Sequence, residues 1–173
     1  AALTNYREPN AAKGALSRGH LVAEFLKGTD EPLAYVQQLA TQAEQYSGFN
    51  VLVGHRQQAA VLSNRGTPPQ ELTAGIYGLS NQLLDSPWPK TQRLKAGLAE
   101  LLAQQQINIE QALSLLQDQT QPLDEELPDT GVGLVWERLL ATAFIKSPIY
   151  GTRASSVLLL GKKTIQLIEQ TWL

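Results

Sequence analysis

Three polar residues stand where an apolar run meets a turn. Asn5 follows Ala-Leu-Thr, Asn81 follows Tyr-Gly-Leu-Ser, and Arg153 lies between Tyr-Gly-Thr and Ala-Ser-Ser-Val-Leu-Leu-Leu. An asparagine at a strand end can aim its amide N–H at a developing oxyanion, the preorganised stabilisation that acyl transfer needs. An arginine close by can hold a carboxylate or depress the pKa of a neighbouring thiol. The same residue types also build Asx-turns and cap surfaces with no chemistry attached, and on the residues alone both readings stand. Trp88, set between Pro87 and Pro89, serves equally as the wall of an apolar pocket or as the anchor of the helix that follows. Residues 77–90 thus combine a buried-looking strand, a polar turn with an uncharged amide donor and an aromatic–proline pair, the layout of a pocket floor.

The usual catalytic signatures are absent from the chain. It has no Gly-rich phosphate loop, no His-Glu-x-x-His and no Gly-x-Ser-x-Gly. His20, at a helix start, and His55, at a strand end, read as exposed or satisfied structural residues. Without cysteine or a spaced His–carboxylate set, no metal site and no cofactor is expected. The acidic run Asp124, Glu125, Glu126 and Asp129 lacks the alternating spacing of a calcium loop and reads as solvated surface.

The partners these features leave are a small-molecule substrate or ligand. Lys and Arg are scattered and the formal net charge is −2, so no basic stripe calls for nucleic acid. The strongest apolar run, Val157-Leu158-Leu159-Leu160, falls far short of the roughly 20 residues a bilayer requires, so no membrane span is expected. No signal-peptide pattern opens the chain, and the expectation is a cytoplasmic location. Oligomeric state is not legible. The chain contains no Met and opens inside an apparent strand, so a cut or processed start is expected.

The elements that must position these residues follow from period and punctuation. At 173 residues, with 43% apolar and 17% charged, the chain suits one domain with a real core, residues 1–173. Residues 1–5 read as a strand end and 6–10 as the loop leaving it. Ser17 then caps a helix with Leu21, Val22, Phe25 and Leu26 on one face, closed by Gly28. A second helix carries Pro32 in its first turn and Leu33, Val36, Leu39, Ala40 and Ala43 inward. Phe49, Val51 and Val53 alternate along a strand, with further strands at residues 59–62 and 72–79. Helices follow Pro89 (Leu94, Leu98, Leu101, Leu102) and an Asn108 cap. Residues 117–129 form a loop, mobile or ligand-facing. Thr130 then caps an amphipathic helix with Val132, Val135, Trp136, Leu139, Leu140 and Ala143. Residues 155–160 and 164–172 close the chain as a hairpin around Gly161-Lys162. Runs of strands alternating with runs of helices define α+β, with helices layered on antiparallel sheet.

Six blocks occur together and in order: Leu3-Thr4-Asn5-Tyr6-Arg7-Glu8-Pro9, Ser17-Arg18-Gly19-His20-Leu21, Gly48-Phe49-Asn50-Val51-Leu52-Val53-Gly54, residues 77–90, Leu127-Pro128-Asp129-Thr130-Gly131 and Tyr150-Gly151-Thr152-Arg153. In these the chain resembles the transport and Golgi organisation protein 2 family, also called NRDE after an Asn-Arg-Asp-Glu motif. The resemblance covers essentially the whole chain. It implies an N-terminal-nucleophile-hydrolase-like fold, an αββα sandwich of antiparallel sheets between helical layers. That sandwich would be incomplete at the N-terminus, the chain representing the C-terminal two-thirds of an NRDE-type domain.

Related amidases expose a cysteine as first residue, with its own α-amine as general base. By resemblance to them, Asn81 matches their oxyanion-hole asparagine, Asn5 lies on the strand lining the same hole, and Arg153 matches their pocket arginine. Tyr6, Arg7 and Trp88 fall on the substrate-binding side. Neither the Met-Cys start nor the Asn-Arg-Asp-Glu motif is present, and Asn64-Arg65-Gly66 is a hairpin turn instead. As it stands, the chain is expected to be inactive alone. The resemblance leaves a second reading, a non-catalytic protein that binds or traffics a small molecule such as a lipid or haem. The lack of His, Met and Cys near the pocket motifs argues against axial haem ligation within these residues.

Overall fold

The structure is a computed structural model describing residues 1–9, 13–104 and 107–172; Asn10, at the end of the expected first loop, lies outside the described residues. The chain gathers into two compact units, Ala1–Ser86 and Pro87–Leu173.

In the first unit a four-stranded antiparallel sheet runs in the order β1 (Ala2–Asn5), β2 (Phe49–Gly54), β3 (Ala59–Ser63), β4 (Gln70–Glu71). The period of two sends Phe49, Val51 and Val53 to one face of β2, and Ala60 and Leu62 of β3 join them. Against that face pack α1 (Gly19–Lys27) and α2 (Pro32–Ala40), through Leu21, Val36 and Leu39. Pro32 takes the first helical position, where its missing N–H costs nothing. The Tyr35 hydroxyl donates to the Leu21 carbonyl at 2.6 Å and its ring meets Phe25 edge-on at 5.2 Å. Burial pushes that phenol's pKa up.

Two local expectations fail here. Arg18, not Ser17, stands at the N-cap of α1. The Ser17 Oγ accepts from Gly19 N–H at a long 3.3 Å, and the Ser17 carbonyl accepts from His20 N–H. Leu26 faces water, 68% exposed, because the helix turns its stripe through Leu21 and Phe25.

The expected strand over 72–79 does not form. The ladder ends after β4, with Leu72 N–H donating to the Ala59 carbonyl. Beyond it the polar groups are spent locally. The Tyr77 hydroxyl folds back on the Thr73 carbonyl, while Gly78 and Asp85 exchange two bonds, Gly78 N–H to Asp85 Oδ1 and Asp85 N–H to the Gly78 carbonyl. Asp85, at φ 57°, is the one described non-glycine residue in left-handed backbone, a conformation aspartate tolerates better than most side chains. Residues 78–85 are therefore a self-bonded loop, not a strand and its turn.

The second unit holds α3 (Pro89–Leu102), α4 (Ile109–Leu115), α5 (Leu134–Leu139) and the antiparallel hairpin β5 (Ala154–Leu160) with β6 (Ile165–Thr171). The hairpin is as expected, turning through Gly161–Thr164, where Gly161 N–H donates to the Thr164 carbonyl. Asn108 caps α4, its Oδ1 accepting from Gln111 N–H. Gly97 lets α3 and α4 meet: a Cβ there would stand 2.5 Å from a Leu115 methyl.

The helix expected from Thr130 is one short turn and a half, α5, with Gly133 at its N-cap. Its inward residue is Glu137, while Val135 is 77% exposed and Trp136 also faces out. The cause is polar. Thr130 donates both its N–H and its hydroxyl to Glu137 Oε1, at 2.8 and 2.5 Å, so the threonine binds the helix's carboxylate instead of its N-terminal amides. Residues 117–129 form a loop with one 3-10 turn (Asp124–Glu126), tied by Arg93 to Asp118 at 2.8 Å and by Arg138 to Asp124. Burial acts to raise the Asp118 carboxyl, and bonds from Thr120 and Arg93 outweigh it and hold the group low.

Candidate functional site

Four of the six candidate residues meet at one end of the first sheet. β1 ends at Asn5, and the self-bonded loop lays residues 80–82 alongside it. Each carbonyl of that tripeptide is tied down. The Thr4 hydroxyl donates to Ser80 O at 2.6 Å, Arg7 N–H donates to Asn81 O at 2.6 Å, and Asn50 Nδ2 donates to Gln82 O at 2.9 Å. The Asn81 side chain donates from Nδ2 to the Asn5 carbonyl at 2.9 Å, at an exposed position. A carboxamide NH₂ carries two N–H bonds, so one is spent on β1 and the group is held in a fixed orientation.

Tyr6 is held by its backbone N–H to the Gly48 carbonyl at 3.0 Å. Gly48 is a point of close approach: an added Cβ would fall 2.9 Å from Tyr6 Cβ and 2.7 Å from a Glu8 carboxylate oxygen. Arg153 and Trp88 belong to the second unit. Arg153 is exposed just before β5, its carbonyl accepting from Trp172 N–H at 2.8 Å. Trp88 is buried at the start of α3, with Lys90 Nζ 5.6 Å from its ring centroid.

Two features escaped the sequence reading. The first is Asn50, wholly buried near the start of β2. Its signal was visible as an amide inside the apolar alternation Phe-Asn-Val-Leu-Val. The second is a two-pronged ion pair between Arg65 and Glu8, 2.8 Å at both bonds, linking the β3 turn to the segment after β1. The Arg65 bonds hold the Glu8 carboxyl below the ordinary carboxylate range.

A carboxyl lowered by folding contributes stability above its unfolded pKa and loses it as pH falls through the folded value. Arg65→Gln is therefore expected to lower the thermal midpoint near neutral pH by an effect under about 1 kcal/mol, since both groups keep partial water contact. The difference from the parent chain should fade in acid, which melts of both chains from about pH 7 to 3 would read.

Beside β1 lies an open cleft of about 560 Å³ whose walls include Leu3, Asn5, Lys13, Leu16, Arg18 and Ser47. It is of the size that takes small ligands. Arg18 Nη1 donates to the Gly48 carbonyl at 2.8 Å, which fixes one of its two cations. Among the described residues no group of three or more His, Cys, Asp or Glu could hold a metal ion, and no helix is long and apolar enough to cross a membrane.

The architecture is that of an α+β protein built on antiparallel sheets, with a clamped asparagine at a sheet end. A model of the family Transport and Golgi organisation 2 matches residues 1–173. The chain is 34% identical over 173 residues to the human Transport and Golgi organization protein 2 homolog, covering 92% of this chain and 63% of the relative. It is 33% identical over 172 residues to the mouse homolog, covering 91% of this chain and 62% of that relative. The chain therefore belongs to the Transport and Golgi organisation 2 family, and it spans a little under two thirds of the length of these curated relatives.

Proposed function

We propose that these residues form the oxyanion side of an N-terminal-nucleophile-type hydrolase site acting on an amide or ester. In this reading residues 1–173 are the C-terminal two-thirds of one αββα domain. The cysteine nucleophile lies in the part of the family length that the chain does not span. That cysteine's thiol gives its proton to its own α-amine, and the sulfur attacks the substrate carbonyl carbon, forming an S–C bond while the π electrons move to oxygen. The tetrahedral oxyanion then collapses, expelling the amine or alcohol, which leaves with a proton from the cysteine's own α-ammonium. Water hydrolyses the thioester and regenerates the thiol.

The observation that carries this reading is the fixed Asn81 carboxamide at the end of β1, a neutral donor whose orientation is set before any substrate arrives. A donor that needs no reorganisation is what stabilises developing charge. Asn5 would line the same hole and Tyr6 and Arg7 its substrate side; Trp88 and Arg153, in the second unit, keep substrate-binding and thiol-supporting roles by resemblance alone. The setting is cytoplasmic.

The test is intact-mass spectrometry of the full-length gene product after incubation with activated ester and amide acyl probes. An acyl adduct on an N-terminal cysteine is expected. A gene with no cysteine directly after the initiator Met, or no adduct with any probe, would sink the hydrolase reading. The cleft beside Asn5 favours a second reading, in which the site holds a small molecule such as a lipid or haem without turnover. Stable one-to-one ligand binding without adduct formation would favour it.

A further inference from the structure

Asn50 occupies a position where an apolar residue would be cheaper. It sits on the central strand β2, is wholly buried, and pairs in register with Thr4 and Ser63. Its Oδ1 meets no donor among the described residues. A buried acceptor left in that state is destabilising. Leucine, of comparable bulk, would avoid the cost and could not make the bonds that the other prong makes.

Those bonds fix the orientation of the amide. Nδ2 lies 2.9 Å from Thr4 Oγ1, 2.9 Å from the Gln82 carbonyl and 3.4 Å from the Ser80 carbonyl. The single proton of Thr4 Oγ1 is committed to Ser80 O at 2.6 Å, so Thr4 can only accept from Asn50. Reversing the carboxamide would set Oδ1 against three acceptors. Asn50 therefore has one workable orientation, and in it both N–H bonds serve the tripeptide that carries Asn81. One reaches Gln82 O directly, and the other reaches Ser80 O through the Thr4 hydroxyl.

We propose that Asn50 is the positioning residue for Asn81, holding the carbonyls on either side of it so that its carboxamide stays in one orientation at the end of β1. Asn50 does not touch the reacting atoms and acts only through residues 80–82. The proposal rests on the reading of Asn81 as the oxyanion donor for its meaning in catalysis, while the clamp itself is a statement about this chain alone.

The test follows the Asn81 side-chain NH₂ pair in ¹H–¹⁵N spectra of the full-length gene product, in Asn50→Leu and in Thr4→Val, with Val51 and Val53 methyl signals as the record of an intact core. In folded Asn50→Leu the Asn81 pair is expected to move toward free-amide positions and to exchange with water roughly tenfold faster, the scale of one lost hydrogen bond. The methyl signals should hold. Thr4→Val is expected to give a smaller shift of the same sign, because it cuts only the relayed arm. An unmoved Asn81 pair in folded Asn50→Leu overturns the proposal. Should Asn50→Leu fail to fold, Thr4→Val decides it, and an unmoved pair there overturns it. Because no substrate is involved, a failed acyl-probe experiment leaves this result untouched, and an unmoved Asn81 pair leaves the acyl-probe result standing.

Discussion

Replacing Asn81 with alanine in the full-length gene product is expected to cut kcat for an amide or ester substrate by about 10²–10³, the loss typical of one oxyanion-hole donor. The effect should fall on kcat with little change in KM, because the donor meets charge that exists only in the transition state. Stability should suffer less than activity. The lost side-chain bond runs to the Asn5 carbonyl at an exposed position, and water can take it over. Arg7 N–H to Asn81 O survives, since it uses backbone alone. An unchanged kcat would refute the oxyanion role even if turnover itself were established. A matched loss of kcat and thermal midpoint would assign Asn81 to architecture.

The largest stability effect is expected at Phe49→Ala. Phe49 is fully buried where β2 meets α1 and α2, and Tyr46 packs edge-on to its ring at 5.9 Å. Truncating a buried phenylalanine costs about 3–5 kcal/mol, the removed transfer energy plus the cavity left behind. A loss of that size approaches the total stability of many domains. All three tryptophans lie in the second unit, so indole fluorescence would miss an event confined to the first. Hydrogen exchange of the β2 amides is the suitable readout, and their protection should collapse. Leu26→Ala serves as the control. Periodicity puts it on the same helix face as Leu21, but it is largely exposed and its truncation should stay within about 0.5 kcal/mol.

What the sequence made legible was the part governed by simple periodicity. The alternation of Phe49, Val51 and Val53, the proline opening α2, the Asn108 cap and the closing hairpin all depend on near neighbours along the chain. Errors arose where a distant or polar partner overruled the period. Residues 72–79 carry strand-like apolar residues, but Gly78 and Asp85 bond to each other and take the backbone out of the ladder. The stripe through Val132 and Trp136 looks helical, but Thr130 recruits Glu137, and the short helix turns its carboxylate inward.

The same limit applies to the site. Asn5 and Asn81 could be singled out because each ends an apolar run, yet their bond joins residues 76 apart, a pairing no local pattern encodes. Asn50 was overlooked because a polar residue within a strand reads as a surface position until its burial is known. Its partners Thr4 and Gln82 are 46 and 32 residues away.

In the proposed site the Asn81 carboxamide faces the reacting carbonyl oxygen. That placement is tested most directly by a structure of the full-length gene product trapped with a tetrahedral transition-state analogue on its N-terminal cysteine. Asn81 Nδ2 is expected within about 2.7–3.1 Å of the oxyanion, with the carbonyls of residues 80–82 still held by Thr4, Arg7 and Asn50. An oxyanion stabilised elsewhere, with Asn81 bonded only to the Asn5 carbonyl, would contradict it.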